Sequence, residues 1–432
     1  MRQYILYICM MLWLTTAAQT GHGAGWMSTW GTSPEYTSEG DMPKVSLSGK
    51  TIRQVIRPSV GGDTIRLALS NFHSNEPVEI KSVYVSWSVD TLVRDKSNGR
   101  IISVNGSTPW IVNETSRYLT FNGRRSVTIA PNANISSDQL SFSVRPYRDI
   151  AITICYGQSV PQHATSHRGS RTTSYIADGA VGPEDSLKVI ERLEHWYNIL
   201  SLDVKKSGPV VAILGNSITD GRGTTTNAQN RWTDYMGTEL GRMDIRNIST
   251  AVGEKAVPEG CGIVNLGIGG NCVIDGGISE PLLKRYRDEL EFHSGITHII
   301  IYEGTNDIGT SNSDPAVLAH KLTEAYKEII SYAHSKGIKV FIATITPTKG
   351  NGWYSPSHEQ TRQEVNRWIR KGEGFECIID FDRLVRDPQD EEKLKAEYSE
   401  DWLHLNPDGY EAMGRYAARI IANDIGQAPS MH

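Results

Sequence analysis

Five short, unbroken apolar runs dominate the second half of the chain: Val210–Leu214, Gly262–Leu266, Ile299–Tyr302, Val340–Ile345 and Cys377–Asp380. A run without polar alternation suits a parallel strand covered on both faces. Between these runs, Ala316–Ser335 and Glu359–Arg370 carry apolar residues three and four apart, the spacing of an amphipathic helix. Strands alternating with helices imply a parallel sheet clothed by helices on both sides.

The first half has a different period. Ile65, Leu67 and Leu69 alternate with Arg66, Ala68 and Ser70. Val83, Val85, Trp87 and Val89 repeat the pattern, as do Val127 and Ile129, then Leu140, Phe142 and Val144, then Ile150, Ile152 and Ile154. Period two predicts strands with one buried face and one wet face. Gly61-Gly62-Asp63, Asn122-Gly123 and Pro131-Asn132 supply turns between them. The pattern predicts an all-β domain, a β-sandwich or jelly roll, over residues 26–195, followed by an α/β domain over residues 205–426. A length of 432 residues suits two such domains. The polar step Lys205-Lys206-Ser207-Gly208-Pro209 leads into the first parallel strand.

Arg2, the apolar run Tyr4–Leu14 and the small residues Thr16-Ala17-Ala18 have the layout of a signal peptide over residues 1–18. Export to the periplasm or the extracellular space is expected. The run is shorter than the ~20 residues of a membrane span, and no later run is long enough, so membrane insertion is not expected. The net charge of −5 is spread without long blocks of one sign, which gives no footprint for nucleic acid. Cys155, Cys261, Cys272 and Cys377 form no Cys-x-x-Cys pair, so neither a zinc site nor a redox motif is indicated.

In sheets of this kind, functional groups gather just past the carboxyl ends of the strands. The first strand ends in Gly215-Asn216-Ser217-Ile218-Thr219-Asp220, placing a serine hydroxyl at a strand-to-helix turn. A serine there is also a common helix N-cap. The second ends in Gly267-Ile268-Gly269-Gly270-Asn271, where glycines either make a tight turn or let backbone N–H groups approach a ligand. The third ends in Gly304-Thr305-Asn306-Asp307. The Asn306 amide can donate to a developing oxyanion or simply close an Asx-turn. Near the C-terminus, Asp401-Trp402-Leu403-His404 places a carboxylate and an imidazole three residues apart. They can form a hydrogen-bonded pair or stand solvated in a loop.

Taken together, in this order and at strand ends, these residues resemble the SGNH (GDSL-like) hydrolase family from Val210 to Asp424. The resemblance implies a flavodoxin-like three-layer α/β/α sandwich, with Ser217 as nucleophile and Asp401 and His404 completing the triad. It further implies that the Ser217 and Gly270 N–H groups and the Asn306 side chain form the oxyanion hole. Many members carry Asp before the nucleophile, where this chain has Asn216. In the first half, Trp26-Met27-Ser28-Thr29-Trp30, Arg53-Gln54-Val55 and Leu69-Ser70-Asn71 resemble a β-domain fused to one branch of that family. This branch includes arylesterase-like enzymes found beside xylan-degrading genes of gut and rumen bacteria; Asp220-Gly221 and Arg231-Trp232 resemble it too.

The activity implied is that of a cofactor-free serine esterase acting on short acyl esters, acetyl foremost, of a small ester or of plant cell-wall carbohydrate such as xylan or pectin. The alternatives are a lipase or lysophospholipase on the same machinery and an inert carbohydrate-binding protein. No oligomeric state follows from the sequence. Trp232, Trp353 and Trp402 lie near the motifs, as core residues or as a platform for sugar rings. Cys261 and Cys272 bracket the loop carrying Gly270, and export would permit a disulfide between them if the fold brings them close.

Overall fold

The alternating runs of the first half pair as antiparallel strands in a computed structural model that describes residues 25–89, 91–94, 101–104, 109–250 and 260–425. The signal-peptide segment 1–18 lies outside the described residues. One sheet joins Trp26–Gly31, Ile199–Lys205, Gly62–Ser70 and Asn134–Ser136, with Leu140–Val144 also on Gly62–Ser70. A second centres on Thr51–Ile56, Ile150–Tyr156 and Val78–Trp87. The β region therefore continues through Lys205, because Ile199–Lys205 lies between Trp26–Gly31 and Gly62–Ser70.

One wet face was expected of the strand carrying Ile150, Ile152 and Ile154, but every residue of Ile150–Tyr156 is buried, as is every residue of its neighbour Thr51–Ile56. They are neighbours in the middle of the second sheet, and their polar side chains satisfy one another: Arg53 donates to the Thr153 hydroxyl at 3.0 Å and to the Tyr84 hydroxyl at 2.8 Å. Buried polar groups persist only when bonded in this way.

The second half holds one all-parallel sheet of five strands, Val210–Gly215, Gly262–Gly267, His298–Tyr302, Lys339–Ala343 and Cys377–Ile379. Numbered along the chain, their order across the sheet is 2-1-3-4-5. The unbroken apolar runs send alternate residues to opposite faces. Val210, Ala212 and Leu214 join a core with Leu282, Tyr286, Leu322 and Ile329 from the helices on one side. Val211 and Ile213 join Trp232, Met236, Tyr410 and Met413 on the other.

The first of these cores runs without a break into the β region, through Met27, Ile65 and Val85. Polar bonds reinforce that seam. Asp203 accepts from Ser28 Oγ at 2.7 Å, from Ser294 Oγ at 2.7 Å and from Arg66 Nε at 2.8 Å. Ser33 Oγ donates to the Leu266 carbonyl at 3.1 Å. The β region is thus fixed against the strand that leads to the glycine loop.

The Cys261–Cys272 pairing does not form: both thiols are free and buried. The strand Gly262–Gly267 stands between them and carries the chain roughly 20 Å from Cys261 before the glycine loop begins. A disulfide needs Cα atoms within about 7 Å.

Candidate active site

The first parallel strand ends at Gly215, and Asn216 caps the one-turn helix Ser217–Asp220 by accepting the Ile218 N–H at 3.0 Å. Asn216 is therefore the cap, and Ser217 is left to face outward. The Ser217 hydroxyl lies 2.8 Å from His404 Nε2. His404 Nδ1 lies 2.7 Å from Asp401 Oδ2. The other oxygen of Asp401 accepts the His404 N–H at 2.7 Å and the Leu403 N–H at 3.0 Å. With these donors saturating it, the carboxylate holds the imidazole in one tautomer, with Nδ1 protonated and Nε2 open toward Ser217.

Electrostatics favour the same assignment. Burial lowers the His404 imidazole below its ordinary value, and the Arg222 and Arg171 cations lower it further, against the pull of Asp401. Burial alone would raise the Asp401 carboxyl, but the bonds from His404 and Leu403 outweigh it and hold it below the usual range. Both shifts favour a neutral imidazole beside an ionised carboxylate.

Gly270 has φ of +73°, and a Cβ there would meet Ile278 Cδ1 at 2.8 Å. Only glycine fits this turn without strain. Ile278 N–H bonds the Gly270 carbonyl at 2.9 Å, while Asp307 accepts the Val273 and Ile274 N–H groups at 2.8 and 3.0 Å. Among the described residues the Ser217 and Gly270 N–H groups form no hydrogen bond, so both remain available as donors. Asn306 donates one amide hydrogen to the Asn271 carbonyl, which anchors the side chain and leaves its second hydrogen free. Ser217, Gly270, Asn306 and His404 all border one open crevice.

The structure separates the three tryptophans. Trp353 borders the crevice, in a turn where Asn351 also donates to the Asp401 carbonyl at 2.8 Å. Trp232 is fully buried against Tyr302 and Phe381. Trp402 packs on the helical core, with the Lys393 ammonium 4.0 Å from its ring centre.

Other crevice residues were not singled out from the sequence. Arg168, Arg171 and His195 come from the β region, and Arg222 from the turn after Ser217. No periodicity marks them. His167 and Asp220, 3.0 Å apart, form a buried pair behind this wall. Among the described residues no cluster of three or more His, Cys, Asp or Glu is placed to hold a metal ion, and no helix is long and apolar enough to cross a membrane.

Residues 213–412 match the GDSL-like Lipase/Acylhydrolase family. The match takes in less than half of the chain and lies within its α/β segment. Solved structures similar to it include a GDSL-like lipase from Bacteroides thetaiotaomicron, 18% identical, spanning 51% of this chain and 91% of that one, with a TM-score of 0.35. Another is a carbohydrate acetylesterase from Sinorhizobium meliloti, 16% identical, spanning 50% of this chain and 99% of that one, with a TM-score of 0.37. None of the curated proteins compared matches the chain. The matched segment contains Ser217, Gly270, Asn306, Asp401 and His404.

Proposed function

We propose that this chain is a serine esterase with Ser217 as nucleophile, His404 as general base and Asp401 as its anchor. The observation that carries the reading is the continuous relay from Ser217 Oγ through the His404 ring to Asp401, at 2.8 and 2.7 Å. His404 takes the hydroxyl proton as Ser217 attacks the ester carbonyl. The Ser217 and Gly270 N–H groups and the Asn306 amide receive the tetrahedral oxyanion. His404 then protonates the leaving alkoxide, and water repeats the sequence on the acyl-enzyme. These steps call on no metal or organic cofactor.

The acyl group is short, acetyl foremost, and the alcohol is a polar one such as a plant cell-wall polysaccharide of the xylan or pectin kind. The support is the crevice itself, which is lined by Glu35, Asp41, Arg168, Arg171 and Arg222 and offers Trp353 as an aromatic face. Such walls suit a hydrated polymer better than a long acyl chain, so the lipase reading is the weaker one. The leader-like run Tyr4–Leu14 supports an activity outside the cytoplasm. The test is a panel of acetylated xylan, acetylated pectin and aryl esters of graded chain length. Acetate release and a steep fall in kcat/KM from acetyl to octanoyl are expected. Octanoyl or longer esters as best substrates, with no acetate released from either polymer, would move the assignment to a lipase.

A further inference from the structure

Three arginines border the crevice, and their surroundings differ. Arg168 meets Glu35 through Nε at 3.1 Å and Nη2 at 2.6 Å, so its charge is answered. Arg171 reaches Asp220 through Nη2 at 3.0 Å, but Asp220 gives its other oxygen to His167 Nε2 at 3.0 Å. Burial alone would lower the His167 imidazole, yet Asp220 and Glu35 raise it above its ordinary value. One carboxylate is therefore shared between the Arg171 guanidinium and the His167 ring.

Arg222 is exposed, and its guanidinium has neither an ion pair nor a hydrogen bond among the described residues. Its backbone is pinned: the N–H donates to the Ser217 carbonyl at 2.8 Å, and its own carbonyl accepts the Tyr410 hydroxyl at 2.5 Å. The Cα is fixed beside the nucleophile while the charged end is left free. Arg171 is held in an unusual way too. Its φ is +49°, a region that L-residues with large side chains avoid and that persists where the surroundings enforce it. The Asn227 N–H bonds its carbonyl at 2.9 Å.

Both arginines border the same crevice as His404, the residue that hands its proton to the departing alcohol, and Arg222 is tied to the turn of the nucleophile through its N–H on the Ser217 carbonyl. A guanidinium matches a carboxylate in planar, paired hydrogen bonds.

We propose that Arg222 and Arg171 form a subsite for a carboxylate on the alcohol part of the ester, so that the substrate class is an acyl ester of an acidic sugar or other acidic alcohol. This rests on the esterase reading above. The test compares 4-acetoxybenzoate with its methyl ester, two aryl acetates that differ in one charge. The readout is the ratio of their kcat/KM values in the wild-type chain, in Arg222→Gln and in Arg222→Lys, each checked for folding by thermal melting. The charged-to-neutral ratio is expected to fall roughly tenfold or more in Arg222→Gln, the scale of one charge-assisted hydrogen bond. Arg222→Lys is expected to keep a larger share of it, and added salt to reduce the wild-type ratio. A ratio unchanged in folded Arg222→Gln overturns the subsite while leaving the esterase reading intact. Turnover of neither ester by the wild-type chain overturns the esterase reading itself. A matching pair with the carboxylate on the acyl side, mono-4-nitrophenyl glutarate and its methyl ester, should respond weakly to Arg222→Gln. A larger response there than in the benzoate pair contradicts the placement on the alcohol side.

Discussion

Arg285 donates from Nε to the side-chain oxygen of Asn271 at 3.0 Å, and through that bond a buried cation sets the loop that carries Gly270. The same guanidinium reaches the Leu266 carbonyl at 3.0 Å, the Ser33 hydroxyl at 3.1 Å and the Gly215 carbonyl at 3.3 Å. Asn271 in turn takes the Asn306 amide on its backbone carbonyl. One side chain therefore ties together the strand ends before Ser217 and Gly270, the Asn306 donor and the β region.

Replacing Arg285 with Met should be costly. It removes these bonds and strips the buried Glu289 and Glu303 of their cation. Breaking a buried pair from one side costs about 3–5 kcal/mol. Denaturant unfolding of Arg285→Met should show a loss of that order, and a loss below about 1 kcal/mol, the scale of an exposed pair, contradicts the role given to it.

Asn306→Ala should act on the chemical step. Loss of one oxyanion donor lowers kcat by roughly 10²–10³-fold. KM should move far less, because the donor acts mainly on the transition state. A variant that raises KM and keeps kcat would place Asn306 in substrate binding instead.

The pH profile follows from the direction of the His404 shift. Burial and two arginines lower the imidazole, and only its neutral form is a base. The acid limb of kcat/KM should therefore fall below the ordinary value of about 6.5. Arg222→Gln removes one of the lowering charges, so its acid limb should move to higher pH. An acid limb that stays in place in Arg222→Gln, or lies above the ordinary value in the wild-type chain, is the contrary result.

The cysteines give an independent check on the fold. Burial pushes the Cys261 and Cys272 thiols up to about 12, and only the thiolate reacts readily. Both should resist iodoacetamide near pH 8 in the folded chain and react once it is unfolded, without prior reduction. A peptide map showing them joined would contradict their placement at opposite ends of Gly262–Gly267.

The parallel sheet was legible because a strand buried on both faces needs a run of apolar residues, and Val210–Leu214 or Ile299–Tyr302 can hardly be anything else. Ser217, Gly270 and Asn306 could be nominated because each lies just past such a strand, and His404 because Asp401 stands three residues before it. The charged wall was not legible. Arg168 and Arg171 precede Ser217 by 49 and 46 residues, and it is the packing of the β region against the parallel sheet, with Arg171 on Asp220, that brings them to the crevice. The central strands misled for a related reason. Thr153 looks like a solvent-facing position between Ile152 and Ile154, yet it accepts from Arg53 inside a covered sheet. A disulfide between Cys261 and Cys272 looked possible because spacing along the chain says nothing about the rigid strand between them.

The most direct test of the account is the turnover of 4-nitrophenyl acetate by folded Ser217→Ala, measured beside His404→Ala and the double variant. Members of a nucleophile–base unit act together, so each single change should cost several orders of magnitude, on the scale of ~10⁴–10⁶ in kcat, and the double change little more. Near-normal turnover in a Ser217→Ala chain that melts like the wild type would contradict the assignment of Ser217 as the nucleophile.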